Sequence, residues 1–326
     1  MNLWNIYHPE MPDFIREMAA TERLQRLDAV GMNCGCEYTN FPIFRDIEPY
    51  SRYGHSVGVG LIVWHFTGDV QQSVAALLHD IATPVFSHVV DFMNGDHVRQ
   101  ESTESQTTAM IASSSALQEC LRHVGLQTHD VDDYHRFPVA DNDTPRLSAD
   151  RLEYTLGNVV NYGAGTRETV AKWYNNLVVG LNEEGADELM FKDLQMAEAF
   201  SLAAIRMSHI YVSDEDRFSM QMLAELMAKH IRRGVLSEAD LYTTEPQVIE
   251  LLLRDPEAAA DWQRYRAYHK MVTPTEQCTS HIIPAKKRYI DPFVQDKGRV
   301  SKLSSAFAEK LQQFLAVSFE VPVIGE

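Results

Sequence analysis

A mainly α-helical protein is what three features of this 326-residue chain predict. Apolar residues recur through most of it at three- and four-residue intervals, the spacing of a buried helix face. Capping residues and Gly or Pro stops bound those stretches at helix-like lengths. Alternating, β-favouring residues gather in one place, residues 280–300 (HIIP, then KKRYIDPFV), so a small β element is expected there.

Taken in order, residues 11–30 read as a helix with Asp13 as N-cap, and 31–38 (GMNCGCEY) as a turn. The helix over 56–66 is apolar on nearly all sides, which implies a buried position. Thr67-Gly68-Asp69 ends it, and Asp69 with Gln72 has capping-box spacing for the next helix. That helix runs through Val74, Leu77, Leu78 and Ile81 until Pro84, which lacks an N–H and cannot continue it. Short helices follow up to Met93, over 101–112 and over 116–124. Residues 125–146 are acidic and proline-punctuated, a loop or lid. Asp150 opens a helix to about Val160, and helices are expected over 166–179, 186–210 and 215–233, the last closed by Gly234. Shorter ones follow over 237–242, 246–254 and 257–270, with a final amphipathic helix over 301–317.

Composition narrows the function. Hydrophobic residues make up 45% and charged residues 23%, a globular balance. The formal charge of −17 argues against a nucleic-acid platform, which needs a basic face, but allows a small phosphorylated ligand held by local cations and a metal. The longest apolar run, 57–66, is half of what a membrane span needs (about 20 residues). MNLWNIYHPE has no secretory pattern, and Cys34-x-Cys36 is a poor zinc or disulfide motif, so a cytoplasmic protein with reduced thiols is expected.

The chemistry centres on the adjacent pair His79 and Asp80, an imidazole and a carboxylate near a helix end. His55 in SRYGHSVGVG and Asp150 in RLSADRLEY stand beside apolar residues on predicted helices, where an unpaired charge is costly to bury. Two imidazoles and two carboxylates suit one divalent ion such as Mn, Fe, Ni, Co, Zn or Mg.

His55, His79-Asp80 and Asp150 together resemble the H…HD…D signature of HD-domain metal-dependent phosphohydrolases. ERLQRL, SRYGHSVGVG and LLHDIATPVFSH extend the likeness to the dNTP triphosphohydrolase branch, which includes dGTPases and the SAM-and-HD-domain nucleotidase. The resemblance covers roughly residues 20–160. It implies an HD helical core over 1–165, with a helical extension over 166–326 packed on the same core. It further implies phosphate contacts from Arg52 and Arg151, with surface ion pairs as the competing reading, and a sugar contact from Tyr154, with core packing as the alternative. Asn158 falls where relatives carry an aspartate.

The sequence also departs from that family. Ala82-Thr83 replace a Gly-His, Thr103 stands at a second histidine position with Glu104 retained, and Gly54 replaces a Glu. Asp80, Glu104 and His88 are then the candidate catalytic residues, with His97 a further substitute and His65 read as core. General acid catalysis contributes about 10² to 10⁴ in rate, so its loss matters. The reading is a metal-dependent phosphohydrolase acting on a nucleotide or related small phosphate ester, and the resemblance also implies a homo-oligomer. The alternative is a metal- and nucleotide-binding pseudoenzyme that senses a ligand.

Overall fold

The computed structural model describes residues 2–100, 106–273 and 281–326. The N-terminal stretch forms α1 (Trp4–Tyr7), α2 (Asp13–Ala19) and α3 (Glu22–Gln25), followed by a 3-10 turn, Arg26–Ala29. The expected 11–30 helix is therefore broken around Thr21, whose hydroxyl bonds back to the Met18 carbonyl and competes with the helical ladder. Asp13 is the first helical residue and not the cap; it pairs with Arg16 one turn on.

The central helix, α4 (Arg52–Thr67), begins one turn earlier than its apolar run because Ser51 caps it by accepting from the Gly54 N–H. Gly68, at φ 63°, ends it in the left-handed conformation. Asp69 caps α5 (Val70–Leu78), and α4 packs closely along α5. Gly60 permits that approach: a Cβ there would lie 3.1 Å from the Leu77 Cβ. After α5 come α6 (Val89–Met93), α7 (Thr107–Ser113), α8 (Ser115–His123) and α9 (Thr128–Val131). The expected polar loop thus contains one helical turn at α9 and a 3-10 turn at Tyr134–Arg136. Ser148 then caps α10 (Ala149–Asn161), leaving Asp150 in its first turn as expected.

Past α11 (Arg167–Asn175) the structure corrects the sequence reading. Leu177–Leu181 (β1) and Asp187–Phe191 (β2) form an antiparallel hairpin where helix ends were expected. The hairpin signal was the NEEG turn: Gly185 takes φ 77°, and the Asn182 side chain accepts from the Glu184 and Ala186 N–H groups. Helices α12 (Leu194–Ile210), α13 (Asp214–Arg232), α14 (Glu245–Arg254) and α15 (Pro256–Ala267) follow. Among the described residues of the 280–300 region the strands are β3 (Phe293–Val294) and β4 (Gly298–Arg299); β3 runs parallel to β2, and β4, antiparallel to β3, completes a four-stranded sheet. The last expected helix is two, α16 (Val300–Leu303) and α17 (Ser305–Leu315), because Ser304 leaves the helix and caps the second.

Two apolar clusters result. One is built on α4, α5, α10 and α12; the other gathers α13, α14 and α15 around the 85–92 turn and Phe41. A buried network at the sheet joins distant segments: Arg299 bonds Glu188 and Glu183, and Glu188 also accepts from the Leu147 N–H and Asn182. Among the described residues no helix is long and apolar enough to cross a membrane.

Candidate metal centre

A cavity of about 780 Å³ opens between the two clusters, and His55, His79, Asp80 and Asp150 lie together in its lining. The ligand atoms of His55, His79 and Asp80 all lie within 4.8 Å of one another. Asp150 stands outside that tight triple, yet its Oδ1 is 3.0 Å from His55 Nε2 and 3.7 Å from His79 Nε2. Adjacent ligands on an ion with bonds of about 2.1 Å sit about 3 Å apart, so these spacings fit one cation.

The surroundings of the imidazoles decide what fits there. His79 donates through Nδ1 to the Ala76 carbonyl at 2.7 Å, and His55 Nδ1 lies 2.6 Å from the Glu153 carboxylate. With both Nδ1 atoms so engaged, the two Nε2 atoms face each other at 3.2 Å. Such a pair needs a proton or a cation between its members. Burial opposes charge on His55, but bonds to Asp150 and Glu153 hold its pKa up at about 10. A field that holds a proton so firmly favours a metal ion as well. Burial would raise the Asp80 pKa; Arg52, His79 and His55 instead keep it well below the carboxylate range, and His55 and His79 do the same for Asp150.

Glu153 escaped the sequence reading. It is 1% exposed, accepts from Tyr7 and Tyr50 hydroxyls, and orients His55, the outer-shell role that carboxylates play behind metal-ligating histidines. Its signal was its place one turn after Asp150, on the same helix face. Gly58 makes room for it, since a Cβ there would lie 2.7 Å from Glu153 Cγ.

Thr83, at the position of a family histidine, donates its hydroxyl to Asp80 Oδ1 at 2.8 Å. Asp80 Oδ2 accepts from Arg52 Nη1 at 2.8 Å, and Arg52 Nε donates to Ser87 at 3.1 Å. Arg52 Nη2 makes no hydrogen bond among the described residues. Arg151 lines the cavity but holds the loop: it bonds Asn142, the Arg146 carbonyl at 2.9 Å and Asp141 at 3.2 Å. Tyr154 and Asn158 lie on the same wall, with Asn158 donating to the Tyr211 hydroxyl at 2.8 Å. His88 also lines the cavity; burial lowers its pKa to about 4 despite Asp91, which accepts from Nδ1 at 3.0 Å.

Other expected residues fall elsewhere. Thr103 and Glu104 lie outside the described residues. His97 bonds Gln221 and packs on Phe92, away from the cavity lining. His65 is exposed, against the expectation of a core residue: it sits near the end of α4, edge-on to His8 and Phe66. Two cavity residues that the sequence reading did not single out, Lys286 and Arg288, come from the segment expected to be β.

No protein-family model matches the chain. It is 26% identical over 277 residues to the uncharacterized protein YdhJ of Bacillus subtilis, covering 83% of this chain and 82% of that protein. It is 24% identical over 296 residues to the metal-dependent phosphohydrolase cns2 of Cordyceps militaris, covering 88% of this chain and 83% of the relative. Two crystal structures share its fold at 16% identity. One is a hypothetical protein from Aquifex aeolicus (TM-score 0.62, 96% of this chain and 91% of that one). The other is a phosphohydrolase from Bacteroides thetaiotaomicron (TM-score 0.63, 97% and 96%). Relative, fold and the His-His-Asp group together support an HD-like phosphohydrolase superfamily likeness for this chain.

Proposed function

We propose that this protein is a metal-dependent phosphohydrolase acting on a small phosphate ester, with a nucleotide as the favoured substrate class. The observation that carries this reading is the pair of imidazole Nε2 atoms 3.2 Å apart, flanked by the Asp80 and Asp150 carboxylates in the lining of a large cavity. The name of the cns2 relative supports the same reaction class. His55, His79, Asp80 and Asp150 would hold one divalent ion. When bound, such an ion polarises a phosphoryl oxygen and lowers the pKa of water, which together promote hydrolysis.

The chain's own residues do the rest. Glu153 and the Ala76 carbonyl fix the two imidazole tautomers, while Thr83 and Arg52 fix the Asp80 carboxylate. Arg52 offers its unbonded Nη2, and Arg151 its guanidinium, to substrate phosphate; Tyr154 packs beside the organic group. Burial keeps His88 neutral at pH 7, with Nδ1 on Asp91 and Nε2 accepting from Arg288. Asp80, His88 and Glu104 are the proposed proton-handling residues. A dNTP triphosphohydrolase-like reaction stays within this proposal through the motif resemblance alone.

The test is a substrate panel. The purified protein, stripped and reloaded with Mn or Ni, is incubated with dNTPs, NTPs, nucleoside monophosphates and simple phosphate esters. Release of orthophosphate or triphosphate that disappears on chelation and in Asp80→Ala is expected. Tight nucleotide binding with no turnover of any ester would replace this reading with that of a ligand sensor.

A further inference from the structure

We infer that Arg288, carried into the cavity by a segment far along the chain, is the main grip on the substrate's phosphoryl group, beside the partial contacts open to Arg52 and Arg151. The inference rests on the phosphohydrolase reading above. Among the described residues the cavity is lined by eight aspartates but only four lysine or arginine side chains. A phosphate monoester brings up to about two negative charges, so such a wall repels it unless a free cation answers.

The four cations are not equivalent. Arg52 gives Nη1 to Asp80 at 2.8 Å and Nε to Ser87, which leaves one Nη2 for phosphate, and Arg151 shares its charge with Asp141 at 3.2 Å. Lys286 donates to the Arg99 carbonyl at 2.7 Å, so its ammonium points toward that turn. Among the described residues Arg288 bonds only neutral acceptors, His88 Nε2 at 3.1 Å and the Gln100 side-chain oxygen, both through Nη2. Among the described residues no carboxylate lies within ion-pair reach of it, and its Nε and Nη1 carry no hydrogen bond. A guanidinium with two unbonded N–H directions suits bidentate contact with phosphate oxygens.

The neighbourhood keeps that charge available. Arg288 acts electrostatically on Tyr154, Tyr211 and Asp216, which places it beside the wall beyond the metal ligands. Burial pushes the Asp216 pKa up to about 8, so this acid is mainly protonated at pH 7 and leaves the guanidinium uncancelled. The segment itself is a fixed arm. Arg217 bonds the Ile283 carbonyl at one end; at the other the Asp291 N–H donates to the Pro145 carbonyl at 2.8 Å, while Ile283 and Ile290 are buried. His88, held by Asp91, supports the guanidinium from below as a positioning residue.

The experiment is calorimetric titration of the metal-loaded, full-length protein with inorganic phosphate, in wild type, Arg288→Gln and Arg288→Lys. Loss of charged hydrogen bonds should weaken phosphate binding at least about tenfold in Arg288→Gln, with partial recovery in Arg288→Lys. Bound metal and melting temperature should not change. Wild-type phosphate affinity in Arg288→Gln, no phosphate binding by the wild type, or metal loss in step with phosphate loss would each overturn the inference. Arg288-dependent phosphate binding without turnover of any ester would keep the inference and sink the hydrolase reading. Turnover with Arg288→Gln kinetically unchanged would do the reverse.

Discussion

At the floor of the cavity, His55, His79, Asp80 and Asp150 project from α4, the end of α5 and the first turn of α10, and the first three are fixed from behind by Glu153, the Ala76 carbonyl and Thr83. At its walls, Tyr134, Arg151 and Arg288 belong to, or are tied to, irregular segments that reach the cavity from positions far apart in the chain. The floor is a short-range product of helix geometry set into a packed core. The walls exist only because distant segments bond one another, as Asp291 does with Pro145 and Glu188 with Leu147. A metal centre requires fixed ligands, whereas a substrate wall requires charge that protein groups have left unpaired, and the two regions divide along that line.

The largest effect should come from the floor. Asp80→Ala removes a proposed ligand and strands the buried Arg52 charge, so metal retention and hydrolysis should both fall by more than about 100-fold, read by metal analysis and phosphate release. Preserved metal content would mean that the four side chains do not share an ion. One layer further out, Glu153→Gln should raise the metal dissociation constant about 10- to 100-fold while leaving the cavity intact. Gly58→Ala should act in the same direction by crowding Glu153, with about 1–3 kcal/mol of lost stability measured by denaturant unfolding.

Arg151→Ala targets the wall. It frees the 141–146 loop from α10, so KM should rise by about tenfold or less with metal affinity unchanged. Equal loss of metal would show that wall and floor are one unit. The smallest effect concerns stability away from the metal. Burial, and then the nearby Glu245 charge, pushes the Glu37 pKa up to about 8 from an ordinary 4.5. The folded state therefore binds more protons than the unfolded state between those values, and Glu37 costs increasing stability as pH rises through that window. Glu37→Gln, which cannot ionise, should gain on the wild type by a few degrees of melting temperature between pH 5 and pH 8. A melting-temperature difference that is flat in pH would show that Glu37 is ionised in the folded protein.

Legibility followed the same division. His79-Asp80, His55 and Asp150 could be picked out because the residue types are chemically distinctive and stand beside apolar helical runs, with Asp69 a plain cap for the helix that leads to His79. Glu153 was missed although it stands one turn from Asp150, because an acid on a helix ordinarily faces water and only the packing of α4 against α10 buries this one. The β1–β2 hairpin was missed because Leu189, Met190 and Phe191 suit either a helix or a strand, and pairing with Leu177–Val179 made the choice. His65 was misplaced for a related reason: an apolar run does not say where along α4 the packing neighbours end.

Residue order alone therefore settled the helical character and picked out His55, His79, Asp80 and Asp150 as candidates, since local periodicity, capping and functional-group chemistry act over a few positions. Which charges remain free in the cavity, that Thr83 braces Asp80, and that Arg288 meets His88 across 200 positions were settled by folding. Those outcomes depend on which buried groups find partners, and partners are assigned only when remote segments pack together.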